Sequence, residues 1–487
     1  MRMTPKYDER DPISIEKYAK GLIGKTFKDV EEESLGSRVS QSNNNFGNEK
    51  RKGALGNLIE EHYFGIKANS DQEPDFKEAG VELKVTPFLD KKGKLTAKER
   101  LVLTMISYQN PVEDDFYQSH VWAKCRSILL IYYCHDEDIQ RLYYEIKFVK
   151  LFTPPEEDQI IIVNDYKKII DKIKNGQADE LHEGDTMYLG ACTKGSTTEK
   201  SIVTQFYPPH TVARKRAYGF KQSYMTIVLN KYIILKDEKY EVIVENCNEL
   251  KNKSLEDYIC GKINFYRGKS DKELCEIFDR EYNENKAQWI DLAFRMLGLK
   301  SNKAEELAKA NIIVKAIRIE ENGTMRESSS LPTIKFKELV KEKWEDSTLY
   351  KYFDETKFLF VVYKKINGKY CLTGSQIWNM PHQDILKAEK GWLEIQKIIK
   401  EGVELTPCYK KHIITSVKNN LPKKGSNEVI HIRPHANKSY YVFQDGKCHG
   451  SGKISDSDEL PDGRRMTIQS FWLNNTYLLS QIDSKLK

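Results

Sequence analysis

No run of the 487-residue chain stays apolar for the roughly 20 residues that a membrane span needs. The first twenty residues are charged throughout and hold no apolar core of the kind a secretory signal carries. Nine cysteines are present, an odd number, scattered and without a Cys-x-x-Cys pair. That spacing excludes a zinc ribbon and argues for reduced thiols and a cytoplasmic setting. There is no Walker-type phosphate loop, so ATP dependence is not indicated, and no Ser/His/Asp or Cys/His nucleophile signature. Charge of one sign is also lacking: 78 Lys and Arg face 72 Asp and Glu, a net charge of +6. This is compatible with a nucleic-acid ligand without requiring one. With 39% hydrophobic and 11% aromatic residues, the chain has ample material for a core.

What is there reads as alternating strands and helices, an α/β pattern with mixed sheets and room for two or three domains. The segment 37–48 is polar and Asn-rich, and 248–262 is a polar, Lys-rich connector. The second half echoes the first in order. Residues 96–103 resemble 324–331, and the apolar strand 127–132 resembles 358–363. The amphipathic helix 169–176 resembles 393–402, and Gln222-Ser-Tyr224 resembles Gln469-Ser-Phe471, each read as opening an apolar helix. The expectation is two tandem copies of one domain of about 220 residues each, a normal domain size. The boundaries are 1–247 and 266–487, with a linker over 248–265.

The sharpest local feature is Asp75-Phe-Lys-Glu-Ala-Gly-Val-Glu82-Leu-Lys84. Val81, Leu83 and Val85 alternate with Glu82, Lys84 and Thr86, the period of a half-buried strand. Successive side chains of a strand point to opposite faces, so Glu82 and Lys84 project together. Asp75 follows Pro74 and can fold back onto the same strand end. Two carboxylates with a lysine beside them are the layout of a Mg²⁺-dependent nuclease site. The acids hold a hard cation against a phosphate and the lysine sits by the attacking water. Taken alone, the same pattern fits an edge strand with a solvated polar face. Superposing the two halves sets Asp75 opposite Glu306, Glu82 opposite Ile313 and Lys84 opposite Lys315. An isoleucine cannot ligate a metal, so the second copy is expected to be catalytically dead.

Gly53-Ala-Leu-Gly-Asn-Leu-Ile-Glu60, Pro74-Asp75-Phe76 and Gly80-Val-Glu-Leu-Lys-Val-Thr-Pro87 together resemble the MutH-like endonucleases. That family includes the methyl-directed mismatch-repair nicking enzyme and type II restriction endonucleases that cut GATC. The length and two-copy layout resemble the restriction enzymes more than the single-copy repair enzyme. The resemblance implies two restriction-endonuclease-like domains of the PD-(D/E)xK type and Mg²⁺-dependent cleavage of double-stranded DNA before the G of GATC. It implies that Asp75 and Glu82 bind metal, with the Leu83 backbone carbonyl as a further ligand. Lys84 would be the catalytic lysine, Glu60 an additional acid and Lys124 a second lysine of the site. Glu355 stands opposite Lys124 in the second half.

The family reads DNA through an Arg-Pro-Lys-Ala type of loop. In the first half the matching stretch keeps Lys194 but has Cys192 and Thr193 for Arg and Pro; in the second half it is Arg433-Pro434-His435-Ala436-Asn437. A lysine or arginine suits guanine O6 and N7 in the major groove. Tyr218 lies near the family's aromatic recognition residue, and Arg214-Lys215-Arg216 beside it reads as phosphate contacts. His431 and His435 stand four apart, but in a strand-to-loop segment that does not favour a metal pair. The expected partners are GATC-containing duplex DNA and a transient homodimer on it, with no membrane and no ATP. The second copy is expected to be an allosteric DNA-binding domain. A repair-type nicking enzyme and a non-catalytic methylation sensor that binds GATC are the rival readings.

Overall fold

The computed structural model describes residues 7–35, 53–67, 72–193, 201–236, 239–325 and 328–487. The Asn-rich segment 37–48 and Lys194 lie outside the described residues. The chain forms two compact units: Met1–Tyr258 with Leu299–Ile312, and Ile259–Gly298 with Ile313–Lys487. Among the described residues no helix is long and apolar enough to cross a membrane.

In the first unit a mixed sheet carries the candidate site. Its strands are β1 (Glu82–Lys91), β2 (Lys94–Ala97), β4 (Ile128–Cys134) and β5 (Ile146–Phe152), in the order β2-β1-β4-β5. β1 and β4 run parallel with Glu82 beside Ile128, and the other pairings are antiparallel. Ile128 to Tyr133 are all buried, the continuous apolar run expected where both faces of a sheet are covered. A second, antiparallel sheet has β3 (Leu101–Met105), β7 (Arg216–Phe220) and β6 (Leu189–Thr193) in the order β3-β7-β6. Helix α1 (Ala54–Leu58) packs through Ala54, Leu55 and Leu58 and widens into a π-helical turn over Ile59–Phe64. Helix α2 (His120–Cys125) starts at Ser119, whose hydroxyl accepts the Trp122 N–H. Helix α3 (Glu156–Lys174) has three acids in its first turn, which suit the positive end of the helix dipole, and buries Ile161, Ile162, Ile169, Ile170 and Ile173. Helix α4 (Gln222–Ile227) places the Tyr224 hydroxyl 3.1 Å from Asp158 of α3, donating to its carboxylate. Helix α5 (Glu305–Lys309) belongs to this unit too, and its Lys309 ammonium lies 2.7 Å from Asp158.

The second unit has a sheet of β8 (Ile312–Ile319), β10 (Lys357–Ile366) and β11 (Lys369–Trp378) in the order β8-β10-β11. A further sheet has β9 (Ser329–Thr333), β15 (Gln469–Leu473) and β14 (Ile430–Pro434) in the order β9-β15-β14. Helix α6 (Thr348–Glu355) is capped by Ser347 in the way that Ser119 caps α2. Helix α7 (His382–Glu401) buries Ile385, Trp392, Ile395 and Ile399. Helix α8 (Asn475–Gln481) brings the Tyr477 hydroxyl 2.9 Å from Asp384 of α7. Strands β12 (Leu405–Lys410) and β13 (Ile413–Asn419) pair only with each other.

One landmark is corrected. Gln469-Ser-Phe471 opens no helix; it lies in β15, the middle strand of its sheet. Gln469, Ser470, Phe471 and Leu473 are all buried there, and such a run loses the alternation that distinguishes strand from helix. The helix begins at Asn475, and Tyr477 is the residue that makes the contact Tyr224 makes in the first unit. The connector 248–262 contains a 3-10 turn over Cys247–Leu250 and most of a helix, Leu255–Asn264, in which Leu255, Ile259 and Ile263 are buried.

Candidate active site and DNA-facing residues

β1 pairs with β4 at its first residue, while β2 covers only its far end, Phe88–Lys91; Glu82 is nonetheless 1% exposed. The polar face is therefore not solvated at Glu82. Phe76 and Val81 exchange backbone hydrogen bonds of 2.9 and 3.2 Å across a tight loop whose Gly80 has φ +65°. That loop folds Asp75 back onto β1, where its Oδ2 accepts the Leu83 N–H at 2.9 Å. On the strand, the Lys84 ammonium donates to Glu82 Oε1 at 2.6 Å. From α2, the Lys124 ammonium donates to Glu82 Oε2 at 2.8 Å. The structure thus brings Asp75, Glu82, Leu83, Lys84 and Lys124 to one strand end, with each Glu82 oxygen held by one lysine.

Glu60 sits in the π-helical turn, a wide turn that often marks a functional position. Burial, and then the charge of Asp75, push its carboxyl up to about 7. Asp75 is also raised, by burial first and the charge of Glu82 second, against the pull of the Leu83 N–H and the two lysines. Raised carboxyls beside ammonium groups mark a cluster that is short of positive charge. Its donors are hard carboxylate oxygens, which suit Mg²⁺. Among the described residues, no three His, Cys, Asp or Glu side chains already converge as a metal cage. Glu82 is occupied by lysines, which stand where a cation would bind.

Arg126 follows Lys124 at the end of α2 and is exposed. Its guanidinium lies in the space a Cβ at Gly80 would fill, 2.9 Å from Cζ. The next residue, Ser127, accepts the Glu82 N–H through its carbonyl at 3.0 Å. Arg126 therefore lies over the Asp75–Glu82 loop, although nothing in the sequence around it drew attention to it.

The residues expected to face DNA in the first unit are less gathered than the sequence implies. Lys215 is exposed and Arg214 half-buried, but Arg216 is buried and donates to the Ala191 carbonyl at 2.9 Å. Tyr218 is buried too, its ring 5.5 Å from that of Tyr166. Neither Arg216 nor Tyr218 meets solvent here, so the basic trio does not present one surface. In the second unit Arg433, Pro434 and His435 are exposed at the end of β14. The Arg433 guanidinium lies 3.6 Å from the centre of the Trp472 ring, close enough for a cation–π contact. His431 is buried, with Nδ1 2.6 Å from the Asn474 amide oxygen, and so is not paired with His435 around a metal.

The family model described as DNA mismatch repair enzyme MutH matches residues 64–165, the stretch that holds Asp75, Glu82, Lys84 and Lys124. Fold, site and match define a site-specific deoxyribonuclease with a MutH restriction-endonuclease-like domain. The chain is 35% identical to the type II restriction enzyme Sau3AI of Staphylococcus aureus over 480 residues, 93% of this chain and 97% of that protein. It belongs to that family of restriction enzymes. It is also 33% identical to the DNA mismatch repair protein MutH of Shewanella woodyi over 170 residues, 35% of this chain and 71% of that protein.

Proposed function

We propose that the chain is a type II restriction endonuclease that hydrolyses duplex DNA on the 5′ side of GATC, with Mg²⁺. The observation that carries this is the Glu82 carboxylate, buried at the head of a central strand between two lysines and close to Asp75. The likeness to MutH-like enzymes that cut GATC supplies the sequence read.

Asp75 and Glu82, with the Leu83 carbonyl, are the oxygen donors that would hold Mg²⁺. A bound ion there supplies charge to stabilise the phosphorane and the leaving oxygen. Lys84, the more solvated of the two lysines at 23% side-chain exposure, turns from Glu82 to the attacking water and orients it. Lys124, 7% exposed, stays on Glu82 and fixes the carboxylate. Glu60 adds a carboxylate whose proton leaves near neutral pH. Arg126 supplies a phosphate contact beside the scissile bond.

The catalytic domain is built on 1–247, with Leu299–Ile312 in the same compact unit, and the second domain, within 266–487, is a second copy that binds DNA without cutting it. Several parallels support duplication. Each unit has a three-strand run β1-β4-β5 or β8-β10-β11, and a three-strand sheet β3-β7-β6 or β9-β15-β14. Each has a serine-capped short helix, and a tyrosine that donates to the third residue of the long helix. At the chemical positions the copies differ. Ile313 replaces the carboxylate, and Lys315 has no ion pair or hydrogen bond among the described residues, burial lowering its pKa. Glu306, which matches Asp75 in the sequence, falls in the first compact unit, where it accepts the N–H groups of Ile243 and Val244 at 2.9 Å.

A digest tests the reading. Purified protein with Mg²⁺ should linearise a plasmid bearing one GATC site without any added protein, and EDTA should stop it. Nicking alone would favour the repair-type enzyme, and binding without cutting the methylation sensor. If the second domain is an effector, plasmids with two sites are cut faster than plasmids with one.

A further inference from the structure

The second unit carries a basic ribbon that nothing above uses. Between α7 and β14 the chain forms the β12–β13 hairpin. Residues 405–427 contain five lysines, at 410, 411, 418, 423 and 424, and no acidic residue. The base of the hairpin is anchored, since Leu405 and Val417 pack against the core of the unit. Its tip turns at Lys411 and His412, with φ of +47° and +64°, the two positive angles of the turn that matches strand twist. The tip is open to solvent: Tyr409 is 65% exposed and Ile413 70%. Lys410, Lys411 and Lys418 are exposed, and none makes an ion pair among the described residues. The first unit has no strand at this place, between the end of α3 at Lys174 and the start of β6 at Leu189.

We infer that the β12–β13 ribbon is a backbone clamp on duplex DNA, its lysines contacting phosphates without reading bases. Several features select DNA. The ribbon carries lysines at its tip and near its base and no acid, and the chain acts on a polyanion. A six-residue strand extends roughly 17–20 Å, a length over which a duplex carries about ten phosphates. A two-stranded ribbon is also narrow enough to follow a groove. Cross-strand pairing sets Thr406 beside Lys418 and Cys408 beside Ser416, so the face opposite Pro407 and Val417 is short and polar. Lysines act there as point charges, a role that fits phosphate and not a base edge. The inference rests on the reading that the second unit binds DNA, but not on its reading GATC.

The test uses the full chain made uncleaving by Lys84→Ala, titrated with a fluorescent duplex containing GATC and the same duplex with the tetranucleotide scrambled. Lys410→Gln, Lys411→Gln and Lys418→Gln together should weaken binding to both duplexes alike. Removing three phosphate contacts should flatten the slope of log K against log salt by roughly 2.7. The deficit should therefore shrink by about 40-fold between 50 and 200 mM salt. The arginine triple variant at the same positions should restore the slope. An unchanged slope in a glutamine variant that melts like its parent overturns the clamp, and so does a loss confined to the GATC duplex. Failure of GATC reading is separable: the parent would then bind both duplexes equally, and Arg433→Ala would change nothing.

Discussion

Lys124→Ala probes the site at its most buried bond. The Lys124 ammonium lies 2.8 Å from Glu82, and the two side chains are 7% and 2% exposed. Removing one partner of a buried pair typically costs about 3–5 kcal/mol, because the other charge is left desolvated. Lys84 still holds the other Glu82 oxygen, so a cost of roughly 2–3 kcal/mol is expected. Lys84→Ala breaks a shorter bond, 2.6 Å, but from a side chain 23% exposed, where water can enter in place of the ammonium. Its cost should be about 1 kcal/mol. At roughly 2–4 °C per kcal/mol for a unit of this size, Lys124→Ala should melt about 2–8 °C below Lys84→Ala in EDTA. Thermal unfolding of the unit that holds the site is the measure. Mg²⁺ should raise the melting point of Lys124→Ala more than that of the wild type, because a cation then takes up charge the lysine had balanced. Equal melting of the two variants in EDTA, or cleavage by Lys124→Ala near the wild-type rate, would refute this account of Glu82.

Other outcomes follow from the same geometry. Lys84→Ala should abolish cleavage while GATC binding stays within about threefold, since the lysine serves the transition state; plasmid digestion and a binding titration check both halves. Glu60 has a folded pKa of about 7 against an ordinary 4.5, so the fold binds the extra proton and loses stability as pH rises between those values. Glu60→Gln should remove that loss. In EDTA it should melt above wild type at pH 8 and with it at pH 4.5, and a melting gap that does not depend on pH would refute the shift. Tyr477→Phe should cost about 1–3 kcal/mol, and more than Tyr224→Phe, because Asp158 keeps Lys309 at 2.7 Å whereas Asp384 keeps only the half-exposed Lys387 at 3.0 Å. Denaturant unfolding of the two variants should show that order.

How much was legible follows from distance along the chain. Asp75, Glu82 and Lys84 lie within ten residues, and strand alternation alone predicts that the last two share a face. Lys124 reaches Glu82 across 42 residues, and a lysine at a helix end has no local signature, so only likeness to a family pointed to it. Arg214, Lys215 and Arg216 read as one charged run, yet an extended backbone sends neighbours to opposite sides. Lys215 faces water while Arg216 turns in to the Ala191 carbonyl. Arg126 was illegible because its place is set by a glycine 46 positions earlier (126 − 80), which leaves room for the guanidinium. The ribbon was hidden for another reason. Its lysines look like ordinary surface charge until the pairing shows that residues 405–419 stand apart from every larger sheet.

The contrast between the units bears on how a nuclease domain would become a binding domain. The contacts that hold the frame are the same in kind on both sides: a serine cap, a tyrosine on a helix carboxylate, and a buried apolar strand next to the strand that begins at the chemical position. None of them involves the polar cluster. The cluster itself is unfavourable to the fold, since burial and mutual repulsion raise Glu60 and Asp75. If the second unit is a copy of the first, as proposed, Ile313 in place of the central carboxylate removes strain and chemistry in one step and leaves the frame intact. Outside that frame the second unit presents Arg433 against the Trp472 ring and has a lysine ribbon, whereas the first unit has no strand between Lys174 and Leu189.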